Sequence, residues 1–232
     1  MIRKITRIFL KIIMWFFIST IGVVIIYRFI PPPVTPLMLI KVYEQAFDSD
    51  REVRLYKDWV ALEDMSVSMP LAVITSEDQK FEDHYGFDIS AIEKAQKYNA
   101  RHKGKKVKGA STITQQTAKN VFLWPQRSYI RKGFEVYFTS LIELLWSKER
   151  IMEVYLNVIE MGDGIYGAEA ASQSYFDKSS SELNNQEAAL IAACLPNPIR
   201  WSPARPTSYI KRKQTWILRH MRKANRPEFL TD

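Results

Sequence analysis

Cysteine is almost missing from this chain: Cys194 is the only one in 232 residues, so no internal disulfide framework can hold the fold together. Histidine is scarce as well, with His84, His102 and His220 alone, and no C-x-x-C or H-E-x-x-H spacing occurs. Both facts argue against a dedicated zinc site. Eight glycines are too few for collagen-like repetition, and a 47% hydrophobic content is too high for wholesale disorder. Acidic residues are absent from the first 28 positions, where Arg3, Lys4, Arg7, Lys11 and Arg28 supply five of the eight net positive charges. The rest of the chain nets only +3. The basic balance is therefore mostly N-terminal, and a nucleic-acid partner is not expected from it. The length allows one folded domain, or two small ones, and no internal repeat is visible.

What the N-terminus does have is a long apolar run. Ile12 to Tyr27 carries no charge, and Ile8, Phe9, Leu10, Phe29 and Ile30 extend it. A helix needs about 20 residues to cross the hydrocarbon core; this one suffices if Lys11 and Arg28 snorkel to the two interfaces. Four basic residues precede it, so the positive-inside rule places the N-terminus in the cytoplasm and the body of the chain outside. A cleaved signal peptide would have a shorter apolar region and an A-x-A-like site. Here Pro31-Pro32-Pro33 follows instead, a stiff spacer that cannot continue the helix. The expected division is a tail and anchor over 1–30, a membrane-proximal linker over 31–69, and a folded domain over 70–232.

Periodicity beyond the anchor is helical. An amphipathic helix is expected over Leu37–Phe47, and Pro70 suits a first helical turn. His102 to Lys108 reads as a basic loop. Thr112-x-x-Gln115 matches a capping box, so a helix should start near Ser111 or Thr112. Phe134, Phe138, Leu141 and Leu145 recur at helical spacing and predict a helix over Tyr129–Trp146. Another should span Lys148–Met161, with Ile151, Val154, Tyr155, Val158 and Ile159 inward. Ala168–Tyr175, Asn185–Leu195 and Trp216–Arg222 complete the set. With no series of alternating strands, the domain should be mainly α. Cys194, in the run A-A-C-L-P, reads as core packing.

Three clusters could carry chemistry. On a continuous helix Glu77, Phe81 and His84 would share one face, and a carboxylate after the apolar run L-A-V-I would be partly desolvated, an environment suited to a general base. Spacing alone favours a plainer solvated helix end. Gly109 followed by Ser111 and Thr112 at a helix start makes an anion site, with Lys119 two turns on; capping alone explains the same residues. Arg127, Arg131 and Glu135 follow at steps of four. Two guanidiniums in line suit a diphosphate, although an exposed ion-pair ladder has the same pattern. Gly162-Asp163-Gly164-Ile165-Tyr166-Gly167 satisfies G-x-G-x-x-G, but no strand is expected before it. The glycines should end one helix and allow a tight turn rather than bind a dinucleotide.

Taken in order, E-D-x-x-F-x-x-H-x-G (Glu77 to Gly86), G-x-S-T-I-T-Q-Q (Gly109 to Gln116) with Lys119, R-K-x-x-E (Arg131 to Glu135) and S-K-E-R-I-M-E-V-Y-L-N (Ser147 to Asn157) resemble the motifs of the peptidoglycan glycosyltransferases, glycosyltransferase family 51. The likeness continues through Gly167–Phe176 and the L-P-N-P-x-R-W-S-P segment, Leu195 to Pro203. Some members carry a transpeptidase domain after this one; the sequence ends at Asp232, so the resemblance is to the monofunctional members.

The resemblance implies a mainly α, lysozyme-like glycosyltransferase domain, preceded by one transmembrane helix, with a membrane-dipping lobe to which Phe122-Leu123-Trp124 would belong. It implies polymerisation of lipid II onto a growing glycan strand, with inversion at the anomeric carbon and release of undecaprenyl diphosphate. Glu77 would be the base and Glu135 the second essential glutamate, orienting cations or holding a metal. Asp78, Phe81, His84, Ser111, Thr112, Gln116, Lys119, Arg127 and Arg131 would bind substrate. No cofactor would be obligatory, with a divalent cation (Mg or Mn) optional. The membrane, and cell-division or wall-synthesis proteins, would be partners at a bacterial inner membrane, with the domain in the periplasm. Two rivals stay open at this point: glycan hydrolysis on a similar helical fold, and a membrane-tethered scaffold without catalysis.

Overall fold

The computed structural model describes residues 2–49, 52–102, 107–223 and 226–231. Part of the expected basic loop, 103–106, lies outside the described residues. The first helix, α1 (Ile2–Phe29), is the expected apolar run, and it is long and apolar enough to cross a membrane, with a mean hydropathy of 2.4 in its most apolar window. The prolines stop it. Thr35 then caps α2 (Pro36–Ala46), with Pro36 in the first turn, where its missing N–H costs nothing.

The remaining helices are α3 (Ser68–Glu77), α4 (Ile89–Arg101), α5 (Ile113–Phe122), α6 (Tyr129–Leu145), α7 (Lys148–Val158), α8 (Ala168–Phe176), α9 (Asn185–Cys194) and α10 (Ser208–Met221). α7 is buried nearly all round: Ile151, Met152, Val154, Tyr155, Leu156 and Val158 are each at most 1% exposed, with α5 and α8 packed against it. α9 packs against α3 and α10 through Ala188, Ala189, Ala192 and Ala193, whose small side chains allow close approach. Cys194 is buried in the same core, as expected, and burial pushes its thiol up to about 11. The architecture is mainly α and lysozyme-like.

Several expectations need correction. The helix ending α7 stops at Val158 rather than Met161, because Ile159 turns extended and the chain enters a small sheet. Its strands are β1 (Tyr56–Lys57), β2 (Glu160–Gly162) and β3 (Ile165–Tyr166), in the order β1-β3-β2. β1 runs parallel to β3, with Tyr56 opposite Ile165; β2 runs antiparallel to it. Strands of two or three residues carry no alternation, so the sequence hid them. The glycines of the G-x-G run shape this hairpin: Gly164 has φ +71°, and a Cβ there would stand 2.5 Å from the Arg54 carbonyl oxygen. α4 was not anticipated, although Asp88 caps it by accepting from the Ala91 amide at 2.9 Å. α10 begins eight residues before the expected Trp216, capped by Thr207.

The largest correction concerns the first motif. α3 ends at Glu77, and the chain to Gly86 is a series of turns. Glu77, Phe81 and His84 therefore do not share a helix face. The physical reason lies at Asp78, whose carboxylate is drawn away to the start of α5.

α1 lies along the domain. The Thr20 hydroxyl meets the Tyr137 hydroxyl at 2.8 Å, and Phe16 and Phe17 pack beside Phe134 and Tyr137. Trp146 Nε1 donates to the Val24 carbonyl at 2.8 Å, and Arg150 donates twice to the Tyr27 carbonyl, at 3.1 and 2.9 Å. Of the expected membrane-dipping segment, Phe122 stacks on Phe138 at 4.5 Å and meets Tyr27 at 6.0 Å, Leu123 is buried, and Trp124 meets Phe134 at 6.1 Å.

Candidate active site

Glu77 is the last residue of α3 and is half-buried. Its carboxylate accepts from the Ser76 hydroxyl at 3.1 Å on one oxygen and from Gln116 Nε2 at 3.1 Å on the other. Gln116 is fixed in turn, because the Tyr155 hydroxyl donates to its Oε1 at 3.2 Å. Tyr155 is fully enclosed; burial, with Glu77 and Asp78 nearby, holds its phenol well above the ordinary range, so it stays a donor. A chain of hydrogen bonds thus runs from the core to Glu77.

Asp78, beside it, faces another way. One oxygen meets His84 Nε2 at 2.9 Å, and the other accepts from the Ile113 amide at 3.0 Å. That amide is a free N–H in the first turn of α5, where a carboxylate is favourable. The capping box foreseen in the sequence completes the same turn: Thr112 Oγ1 accepts from the Gln115 amide, and Gln115 Oε1 from the Thr112 amide. Thr112 also donates to the Gly86 carbonyl at 2.6 Å. Gly86 has φ +79°, and a Cβ there would stand 2.6 Å from Thr139. Lys148 donates to the His84 carbonyl at 2.6 Å and to Glu143 at 2.8 Å, while lying over the Phe81 ring at 4.7 Å. Phe81 and His84, expected to bind substrate, instead lie inside this knot. Neither lines the cavities beside Glu77. They hold the turn that follows the carboxylate.

Glu77 stands between two cavities. One, of about 650 Å³, is walled by Lys119, Arg127, Arg131, Lys132, Glu135 and Glu160. The other, of about 590 Å³, is bordered by Lys80, Lys94, Lys108 and Lys213. Glu77, Ser111 and Gln116 line both. Thr112 and Asp78 border only the second.

Arg127 lies in the loop before Ser128, the cap of α6, and not on the helix face that its spacing suggested; it reaches the same cavity from that loop. Arg131 and Glu135 are on α6 and buried, with Nη1 donating to Oε2 at 2.7 Å, and Lys132 takes the other Glu135 oxygen. The Arg131 Nε is buried and has no partner among the described residues. A buried donor of that kind is costly unless something accepts from it. Lys119 on α5 is half-buried, and burial presses its amine below the ordinary lysine range; Arg131 and Arg127 press the same way, while Glu135 and Glu160 oppose them.

Both Glu135 oxygens are thus engaged by cations. Among the described residues no three His, Cys, Asp or Glu side chains come together. The residues present do not fit a resident metal held through Glu135.

Sequence reasoning missed four residues here. Lys132 was inside a quoted motif, and its i+3 spacing from Glu135 was the available signal. Tyr155 carries only a core signal in the sequence. Glu160 gave no signal: burial raises its carboxyl from the ordinary range, opposed by Lys41 and the Gly164 amide. Lys213, on α10, reaches the site only through the tertiary fold; burial lowers its amine, and Glu77 pulls it back up.

A family model described as Transglycosylase matches residues 45–222. This chain belongs to the transglycosylase family. It is 57% identical over 208 residues, 90% of this chain and 82% of the relative, to a "Biosynthetic peptidoglycan transglycosylase" of Bdellovibrio bacteriovorus. A protein of the same name from Bacteroides thetaiotaomicron is 54% identical over 220 residues, 95% of this chain and 88% of the relative. Another, from Pseudomonas entomophila, is 48% identical over 230 residues, 99% and 96% of the two chains. The transglycosylase match begins near the end of α2 and closes at the end of α10, so it spans every residue of the two cavities except those that α2 contributes.

Proposed function

We propose that this transglycosylase polymerises lipid II into β-1,4 glycan strands, releasing undecaprenyl diphosphate, during cell-wall synthesis. The observation that carries the reading is the position of Glu77, between a cavity rich in fixed cations and a second cavity open to an acceptor. A glycan held by an α-linked diphosphate occupies the cationic cavity. The 4-hydroxyl of the next lipid II enters from the other side. Its oxygen attacks the anomeric carbon in line, its proton passes to a Glu77 carboxylate oxygen, and the C1–O bond breaks with its electron pair leaving on the diphosphate. One displacement inverts the centre, giving the β linkage.

The leaving group needs charge neutralisation more than a proton. Lys119, Arg127 and Arg131 supply it, and the Arg131 Nε without a partner is a donor for a phosphoryl oxygen. Glu135 orients Arg131 and Lys132. Ser111 and Gln116 border both cavities and would hold sugar or phosphate at the junction. No step is routed through a metal.

The anchor places this site at the bilayer in which both substrates reside. Four basic residues before the apolar run, Arg3, Lys4, Arg7 and Lys11, support a cytoplasmic N-terminus and a periplasmic domain in a bacterial inner membrane. The deciding experiment is incubation of the purified protein with labelled lipid II. Glycan polymer is expected; cleavage of existing wall, or no product, would replace the reading with hydrolysis or a scaffold.

A further inference from the structure

The cationic cavity has a wall that the motifs do not mention. α2, the first helix after the membrane anchor and its proline spacer, contributes Leu37 and Lys41 to it. Both precede the 45–222 stretch matched by the family. They stand four residues apart and so share one face of α2.

That face is held firmly. Thr35, itself buried, accepts from the Met38 amide at 3.3 Å, and Leu37 and Met38 are buried against the domain. Lys57 donates to the Pro32 carbonyl at 3.1 Å, which ties the proline spacer down as well. α2 packs against α5, the helix that carries Lys119. Lys41 pairs with Glu44 at 2.8 Å, with 29% and 43% of the two side chains exposed. Such an exposed pair contributes little and exchanges readily. Across the cavity Lys41 acts on the Glu160 carboxyl.

We propose that Lys41 is a substrate-binding residue, a cation that the membrane-exit helix adds to the diphosphate site. The proposal rests on the polymerase reading above. A diphosphate attached to a lipid must enter from the membrane side, and α2 is the wall that leaves the membrane. Lys41 exchanges Glu44 for a phosphoryl oxygen as the lipid-linked diphosphate arrives, and Leu37 borders the path of the first isoprenyl carbons.

The test uses the full chain in detergent micelles, with initial rates against lipid II and calorimetric binding of farnesyl diphosphate and of farnesol. Lys41→Gln should raise KM for lipid II and weaken farnesyl diphosphate binding by about three- to tenfold each, the loss of one partly exposed charge contact. Its kcat should stay within about twofold of wild type, and farnesol binding should not change. Lys41→Arg should restore both, and Glu44→Gln should leave KM unchanged or lower it. Wild-type KM and wild-type farnesyl diphosphate binding in Lys41→Gln would overturn the proposal. So would an equal rise of KM in Glu44→Gln, which would make the ion pair a strut for α2. Wild-type protein that makes no polymer would defeat the polymerase reading instead, while the farnesyl diphosphate comparison would still decide whether Lys41 meets a diphosphate.

Discussion

At the scale of single residues the site divides charges that act from charges that hold. Glu77, the proposed base, is gripped by Ser76 and Gln116 but faces cavities on both sides. Glu77→Gln should cut polymerisation by about 10²–10⁴-fold, the usual contribution of a general base, with melting close to wild type. Retention of more than a tenth of the wild-type rate in a lipid II assay would remove Glu77 from that role.

Lys119 and Arg131 look alike in sequence and differ in the fold. Burial depresses the Lys119 amine, so its charged form is disfavoured by folding at neutral pH; the stability contributed by a lowered pKa is full only above the unfolded value and falls as pH drops through the folded one. Lys119→Met should therefore lose about 10- to 100-fold in rate, one charge-assisted contact, while melting at or above the wild-type temperature. Arg131→Ala should lose a similar rate and also several degrees of melting temperature, because buried Glu135 keeps only Lys132 as a partner. Equal melting of the two variants would contradict this division.

Glu160 has the opposite sign to Lys119 and another use. Burial raises its carboxyl, so its contribution to stability is full below the unfolded glutamate pKa near 4.3 and is lost as pH rises through the higher folded value. Glu160→Gln should accordingly melt like wild type near pH 4 and above it at pH 7–8. Parallel melting curves across that range would show that Glu160 is already comfortable as a carboxylate.

At the scale of elements, the anchor, α2, α5, α6 and α9 were legible because each has a cap or a sustained apolar repeat. Thr112 and Gln115 announce α5, and Phe134, Phe138, Leu141 and Leu145 announce α6. Where the sequence misled, a side chain had been recruited by a distant partner. Glu77 to His84 would continue α3 by spacing, but Asp78 serves the first turn of α5 and breaks the helix. Nothing local encodes that demand. The β1-β3-β2 sheet was hidden for a different reason: β1 pairs with a strand far away in the chain, and all three strands, the local β2–β3 hairpin included, are too short for a pattern. The site was half legible for the same reason. Glu77, Lys119, Arg131 and Glu135 sit in motifs, whereas Lys41, Glu160 and Lys213 reach the cavities only through packing. Asp78→Ala tests the element-level claim. It leaves the Ile113 amide and His84 without their acceptor, a loss of about 1–3 kcal/mol. A chain of this size should then melt about 2–12 °C lower, and an unchanged melting temperature would mean that the first turn of α5 does not need Asp78.

At the scale of the whole molecule, the anchor and the domain are one packed body. A tether alone would leave α1 clear of the fold, and its removal would cost only membrane attachment. Here Val24 is fully buried, and Trp146 and Arg150 each spend their donors on α1 carbonyls. Removing residues 1–30 would strand those donors and uncover Tyr137, Phe122 and Trp146, a patch of aromatic surface in contact with water. The shortened chain should therefore melt several degrees lower than the full chain in the same detergent, and should self-associate when detergent is withdrawn. In vesicles it should also lose most of its polymerisation rate, since α2 and Lys41 would no longer be held at the membrane exit. Thermal melting and light scattering of the two forms check the first expectation, and lipid II polymerisation in vesicles checks the second. A shortened chain that stays monodisperse and melts like the full one would show that α1 is a tether after all, and that its contacts with α6 and α7 contribute no net stability.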